Sequence, residues 1–241
     1  MKLALIGYGK MGKAVEAAAI EAGHEIVLRQ SVQDENLSDA LYASGAEAAI
    51  EFTRPEAAFD NVIACLNAGV PIVCGTTGWL SKWPEVKLRC RETNGAVLYA
   101  SNFSIGVFLF TELNRILGHW MQTQPQYAVS ISETHHIHKK DAPSGTAITL
   151  AEAVLEGLTR KNGWVHGISD DDTKIEIASI RTDEVPGTHS IQFNSVQDTI
   201  TLTHEAHSRA GFALGAIRAA EWIQGKKGLF GMRDMVLPPK L

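Results

Sequence analysis

From Lys2 onward, short apolar runs alternate with longer runs whose apolar residues recur at helical spacing. Lys2-Leu-Ala-Leu-Ile-Gly7 reads as a strand covered on both faces, and an apolar helix follows from Lys13 to about Ala22, ended by Gly23. Further strands are expected at His24–Leu28, Ala46–Thr53, Val70–Cys74 and Ala96–Ala100. Between them come a helix from Arg54-Pro55 to Ala68, with proline in its first turn, and a helix over Ser81–Thr93 broken near Pro84. A long apolar helix runs from Ile105 to about Met121. Strands alternating with helices predict an α/β fold with a parallel, doubly wound sheet.

The first turn adds chemistry to that pattern. Gly7-Tyr-Gly-Lys-Met-Gly12 follows a strand and opens a helix, the context in which G-x-G-x-x-G binds a dinucleotide. Gly7 permits the tight turn, Gly9 lets the backbone approach a pyrophosphate, and Gly12 lets helix and strand pack closely. A ligand-free glycine turn is the bland alternative. Gly75-Thr76-Thr77 follows a strand end and is placed under the nicotinamide end of such a ligand, or is a plain turn. The acid that would hold a ribose 2′-hydroxyl is missing from Arg29-Gln30-Ser31-Val32-Gln33, and Asp34 comes only later. That removes a repulsion, with Arg29 or Ser31 placed to contact a 2′-phosphate. NADP(H) is therefore expected to serve at least as well as NAD(H).

After residue 126 the texture changes. Tyr127–Ser132 alternates like a strand, and Thr146–Leu158 is a helix that Gly163 ends. The β-like runs Lys174–Thr182, His189–Phe193 and Thr199–Glu205 predict a small mixed or antiparallel open sheet. The Gly- and Ala-rich helix Ser208–Gln224 is expected to pack back on the first half, with Gly228–Leu241 as a short tail. The chain thus divides into a dinucleotide-binding domain, 1–104 completed by 208–241, and an α+β domain for substrate binding and oligomerisation, 105–207. A helix on one face leaves the other sheet face to cover, and self-association does so.

Composition narrows the partners. A chain of 241 residues with 45% hydrophobic residues and a net charge of -5 is an ordinary globular protein, and the acidic balance argues against nucleic acid. Cys65, Cys74 and Cys90 form no Cys-x-x-Cys pattern, which fits a reducing, cytoplasmic setting. No apolar run reaches membrane-spanning length, and the first residues read as a strand rather than a signal peptide.

The densest chemistry lies in Glu133-Thr-His-His-Ile-His-Lys-Lys-Asp-Ala-Pro-Ser-Gly-Thr146, with three histidines and two lysines between His135 and Lys140. If extension persists, His135, Ile137 and Lys139 share one face and His136 and His138 the other. Ser144 or Gly145 can cap the next helix, whose free N–H groups form an anion site. A cationic strand end facing a helix N-terminus suits a small substrate with carboxylates, and histidines move protons near neutral pH. A solvated basic surface, a metal site on His136 and His138, and a nucleic-acid patch are the competing readings. Lys139 weighs against a metal, and none is expected. His204, Glu205, His207 and Arg209 form a second polar cluster, read mainly as a sheet-to-helix junction.

This stretch resembles the signature of the 4-hydroxy-tetrahydrodipicolinate (dihydrodipicolinate) reductase family of bacterial lysine biosynthesis. Glu51-Phe-Thr-Arg-Pro-Glu56, Gly75-Thr-Thr-Gly78, Ser101-Asn-Phe-Ser-Ile-Gly-Val107 and His204-x-Ala-x-Ser-Arg-x-x-Phe-Ala213 resemble that family's landmarks, in its order. The resemblance implies His135 as proton donor and Lys139 as a second acid. It implies that His136, Gly145 and Thr146 hold a substrate carboxylate. It assigns NADH or NADPH to Gly7, Tyr8, Gly9, Lys10, Met11 and Gly12, to Gly75, Thr76 and Thr77, and to Ser101, Asn102 and Phe103. It further implies a dicarboxylate substrate and a homotetramer. Many members carry an acid where Ser31 falls, and Asp183 stands where a glycine is expected. Another Rossmann-type amino-acid dehydrogenase would share the glycine loop without needing the cationic cluster. A nucleotide-sensing regulator would need a basic DNA-reading helix, which the sequence does not offer.

Overall fold

The computed structural model describes residues 1–31, 36–208 and 210–238. Asp34 and Arg209, both named above, lie outside the described residues. The chain divides into two compact units, Met1–Ile105 with Ala210–Leu241, and Gly106–Arg209.

In chain order the first unit holds β1 (Lys2–Ile6), α1 (Lys10–Glu21), β2 (Glu25–Gln30), α2 (Leu37–Ser44), β3 (Ala48–Glu51), α3 (Pro55–Ala68), β4 (Ile72–Cys74), α4 (Trp83–Glu92) and β5 (Ala96–Tyr99). Then come α5 (Ile105–Met121), β6 (Ala128–His135), α6 (Gly145–Leu155), β7 (Gly163–His166), β8 (Lys174–Arg181), β9 (Gly187–Asn194) and β10 (Thr199–Ala206). The chain returns to the first unit with α7 (Ala210–Trp222), β11 (Gly228–Phe230) and α8 (Met232–Val236).

The first sheet runs β11-β5-β4-β3-β1-β2, with every pairing parallel. Its strands are apolar because helices cover both faces: Leu3, Ala4, Leu5 and Ile6 are all buried. Chain order reverses between β1, β2 and β3, so the crevice of a doubly wound sheet opens at the carboxyl end of β1. The helix α7 packs on α1, and its Gly215 lets it approach the chain after β5, where a Cβ would lie 1.8 Å from the Phe103 carbonyl oxygen. Gly228–Phe230 is not part of a plain tail. It forms the edge strand β11, too short at three residues to show a period.

The second sheet is mixed, in the order β10-β9-β6-β8-β7. The central strand β6 pairs parallel with β8 and antiparallel with β9. Val129 and Ile131 of β6, Ile175 and Ile177 of β8, and Ile191 and Phe193 of β9 pack against Leu150 and Val154 of α6. Gly118 lets α5 cross α6 closely, since a Cβ there would lie 2.7 Å from the Val154 carbonyl oxygen. Ser130, Ser132 and Thr134 point to the other, half-buried face. Gly163 does not merely end a helix but starts β7, and α2 lies where no helix was expected.

Candidate active site

At the end of β1 the chain must turn within the space left by its neighbours. Gly7 has φ +94, and a Cβ there would lie 2.0 Å from the Phe52 carbonyl oxygen. A Cβ on Gly12 would lie 2.1 Å from the Gly7 carbonyl oxygen. Gly9 has open space where its Cβ would be and caps α1 without a side chain, which leaves first-turn N–H groups for an anion. Gly7, Tyr8 and Gly9, with Ser31, Phe52, Thr53 and Arg54, line a cavity of about 560 Å³. A neighbouring cavity of about 350 Å³ adds Lys10, Met11, Gly75, Thr76 and Thr77. The glycine turn, Ser31 and the Gly75–Thr77 loop therefore border one crevice, and its backbone cradle fits a dinucleotide.

The remaining nucleotide-side residues are placed differently. Ser101 and Asn102 follow β5 and line neither cavity. The Phe103 ring is core, 1% exposed and edge-on to Phe52 at 5.9 Å, so it leaves only backbone for a cofactor. Arg29 donates from Nε to Glu16 at 2.6 Å, and Tyr8 donates to the same carboxylate. Of the two side chains expected near a 2′-phosphate, Ser31 lines the crevice while Arg29 is engaged by Glu16.

Sequence reasoning missed a carboxylate beneath this crevice. Glu51 is fully buried and accepts from the Thr53 N–H at 3.0 Å, the Thr76 hydroxyl at 3.0 Å and the Cys74 thiol at 2.9 Å. Burial pushes the Cys74 thiol well above its ordinary range, and Glu51 adds to the shift. The Thr76 hydroxyl also accepts from the Thr53 N–H at 2.8 Å, so it ties the loops after β3 and β4 together.

In the second unit, β6 continues to His135, beyond the expected end at Ser132. The strand does not persist further, so the face pattern expected for Ile137 and Lys139 does not hold. Thr182 N–H donates to the His135 carbonyl at 3.0 Å, Ile137 N–H donates to the Asp183 carbonyl at 3.2 Å, and the chain then turns, with Lys139 N–H donating to His136 O. Asp183 sits at φ +44, which explains why glycine is the expected residue there. The Lys139 ammonium is held by both Asp141 carboxylate oxygens at 2.8 Å, and Lys139 keeps the Asp141 carboxyl below its usual range. His136 is half-buried, and His138 is exposed 3.6 Å from Glu184.

The Ser144 hydroxyl caps α6 by accepting from Ala147 N–H at 3.2 Å. The Gly145 and Thr146 N–H groups bond to no other group among the described residues, which leaves them for an anion.

Strand register brings in two further residues, His189 and Arg181, beside Glu133, which shares the His135 face of β6. Glu133 lies opposite His189 on β9, and His135 lies opposite Arg181 on β8. Glu133 Oε2 is 3.0 Å from His135 Nδ1, with the ring N–H out of line, and 3.8 Å from His189 Nε2. Glu133 Oε1 accepts from Ser144 N–H at 3.0 Å and from Arg181 at 3.0 Å. Burial alone would raise the Glu133 carboxyl, but His135, Ser144 and Arg181 hold it well below the carboxylate range. Burial and the neighbouring His135 push His189 down to about 4, so it is neutral at pH 7. Glu133, His135 and His189 could together offer ligand atoms to a metal ion. A dication there would sit beside Arg181 and compete with it for the carboxylate, which weighs against that use.

A glycine turn at the switch point of a parallel sheet defines a Rossmann-type dinucleotide-binding protein. Family models narrow the class: Dihydrodipicolinate reductase, N-terminus, matches residues 1–103, and Dihydrodipicolinate reductase, C-terminus, matches residues 106–236. The chain belongs to the dihydrodipicolinate reductase family. The 4-hydroxy-tetrahydrodipicolinate reductase of Christiangramia forsetii is 42% identical over 238 residues, 98% of each chain. That of Thiobacillus denitrificans is 40% identical over 201 residues, 80% of this chain and 74% of the other. A dipicolinate-bound dihydrodipicolinate reductase from Paenisporosarcina shares the fold, with a TM-score of 0.84 at 23% identity, over 98% of this chain and 99% of that one.

Proposed function

We propose that His135 and Lys139 deliver the proton, and that His136, Gly145 and Thr146 hold a substrate carboxylate. The glycine turn from Gly7 to Gly12, Ser31, Gly75–Thr77 and the backbone of Ser101–Phe103 hold NADH or NADPH. As a member of its family, the chain is an NAD(P)H-dependent oxidoreductase. It reduces 4-hydroxy-tetrahydrodipicolinate to tetrahydrodipicolinate in the diaminopimelate route to lysine, the 4-hydroxyl leaving as water and the ring taking up one hydride and one proton.

The observation that carries the residue assignment is the meeting, within one unit, of the His135 strand end and the uncapped N–H groups of α6. When bound, the dihydronicotinamide supplies a hydride. The Gly145 and Thr146 N–H groups and the His136 ring orient a carboxylate of the cyclic substrate. Lys139 and the α6 N-terminus stabilise negative charge as it develops, and His135 or Lys139 gives up the balancing proton. Residues 1–104 with 208–241 serve the nucleotide, and 105–207 serve the substrate. The half-buried serine- and threonine-bearing face of β6 supports assembly into a homotetramer. We place the enzyme in the cytoplasm; no helix among the described residues is long and apolar enough to cross a membrane.

The test is the fall in NADH or NADPH absorbance with freshly made dihydrodipicolinate synthase product as substrate. Turnover with both cofactors is expected, because Ser31 rather than an acid lines the crevice just after β2. No absorbance loss with either would overturn the proposal.

A further inference from the structure

Glu133 has no part in the proton and carboxylate roles above, yet it is a carboxylate only 1% exposed, two residues before His135 on the same strand face. The geometry points to Glu133 as a positioning residue for the reduction: Oε2 orients the His135 imidazole and selects which nitrogen carries the proton, while Oε1 fixes the start of α6. This rests on the reading of His135 as proton donor and deepens it.

A neutral imidazole has two tautomers, and an ionised carboxylate can only accept. Beside Oε2, Nδ1 must therefore carry its hydrogen, which leaves Nε2 as the nitrogen that takes up and releases the catalytic proton. The Nδ1 to Oε2 distance is 3.0 Å, and Nε2 lies on the Gly187 side, so of the two ring nitrogens it is Nδ1 that faces the carboxylate. Gly187 leaves the ring its space: a Cβ there would lie 3.0 Å from His135 Nε2. His189 closes the far side edge-on, with ring centroids 5.0 Å apart.

Arg181 completes the device. It compensates the buried charge at Oε1, and the same Nη2 donates to the Asp141 carbonyl at 2.6 Å. Ser144 N–H binds Oε1 as well, so one carboxylate couples the proton donor, the Lys139–Asp141 turn and the carboxylate-binding helix end.

Glu133→Gln keeps the size and one oxygen for Ser144 and Arg181 but presents an NH₂ donor to Nδ1. We expect kcat to fall at least about tenfold, as when a histidine is left in the wrong tautomer, with KM for both substrates within about twofold. Histidine ¹⁵N spectra should show His135 moving from the Nδ1–H to the Nε2–H form. Glu133→Asp keeps the charge and should retain the Nδ1–H form with kcat between the two; it carries the comparison if the glutamine variant does not fold. His135→Gln is measured alongside. If His135→Gln is inactive while Glu133→Gln keeps wild-type kcat and tautomer, the positioning role is overturned and Glu133 is a structural anchor. If His135→Gln itself turns over normally, it is the assignment of His135 that fails. A stoichiometric metal in the purified enzyme that is lost in Glu133→Gln would also overturn the proposal, by making Glu133 a ligand.

Discussion

At the level of single residues, the two proposed acids are held in different ways. His135 is 8% exposed and wedged between Glu133, His189 and Gly187, so its orientation is determined by the fold. Lys139 sits in a turn and is steadied by the bidentate contact with Asp141. Replacing His135 with Gln should lower kcat by about 10²–10⁴, the usual cost of losing a general acid, with modest change in KM. Lys139→Ala should weaken both binding and turnover if the ammonium has the role proposed for it as a second acid beside the bound substrate. Steady-state kinetics with varied substrate at saturating NADPH would separate the two patterns. Wild-type kcat in His135→Gln would remove that residue from the chemistry.

Among the elements, α6 links the fold to the site most directly. Its hydrophobic face is buried against β6, β8 and β9, and its N-terminus is tied to the end of β6 through the Ser144 N–H bond to Glu133. Ser144 both caps the helix and contacts His189 Nε2 at 3.1 Å, so Ser144→Ala removes a cap and strips a buried ring nitrogen of its partner. The cap alone is worth about 1 kcal/mol. A lower urea midpoint with unchanged slope, together with a raised KM for the dicarboxylate, is the expected result; unchanged KM would separate the cap from substrate binding. Much of this was legible in the chain. The glycine turn, the strand–helix alternation and the Pro143-Ser144-Gly145 entry to α6 are local patterns, and local patterns survive without coordinates. Arg181 and His189 were not legible, because they join the site through registers of β8 and β9 that no local pattern encodes. Glu133 was within reach, since period-two alternation places it on the His135 face. The edge strands β7 and β11 are four and three residues long, too short to show a period.

For the molecule as a whole, the buried polar end of the second sheet makes stability depend on pH, and the sign follows from which state binds more protons. His189 is buried and neutral when folded, titrating at about 4, whereas an unfolded histidine takes up its proton near 6.5. Between those values the unfolded chain binds more protons, so stability falls as pH is lowered from about 6.5 to about 4 and then levels off for this group. Below both values the loss is on the order of 3 kcal/mol. His204, pushed down by burial, acts in the same direction. Glu133 contributes in a lower window: its carboxyl is depressed on folding, so the stability it provides is intact above its unfolded value and is lost as acid protonates it. Neighbouring charges oppose one another at His189, with Glu133 favouring its protonation and His135, His204 and Lys139 disfavouring it, so burial decides the outcome. Urea unfolding at pH 7, 5.5 and 4.5 should show a falling midpoint. His189→Asn, which cannot titrate, should flatten most of that slope even if its stability at pH 7 is lower. A wild-type midpoint that stays constant from pH 7 to 4.5 would mean that His189 is protonated in the folded enzyme, and the compensation of Glu133 would then have to be shared between His189 and Arg181.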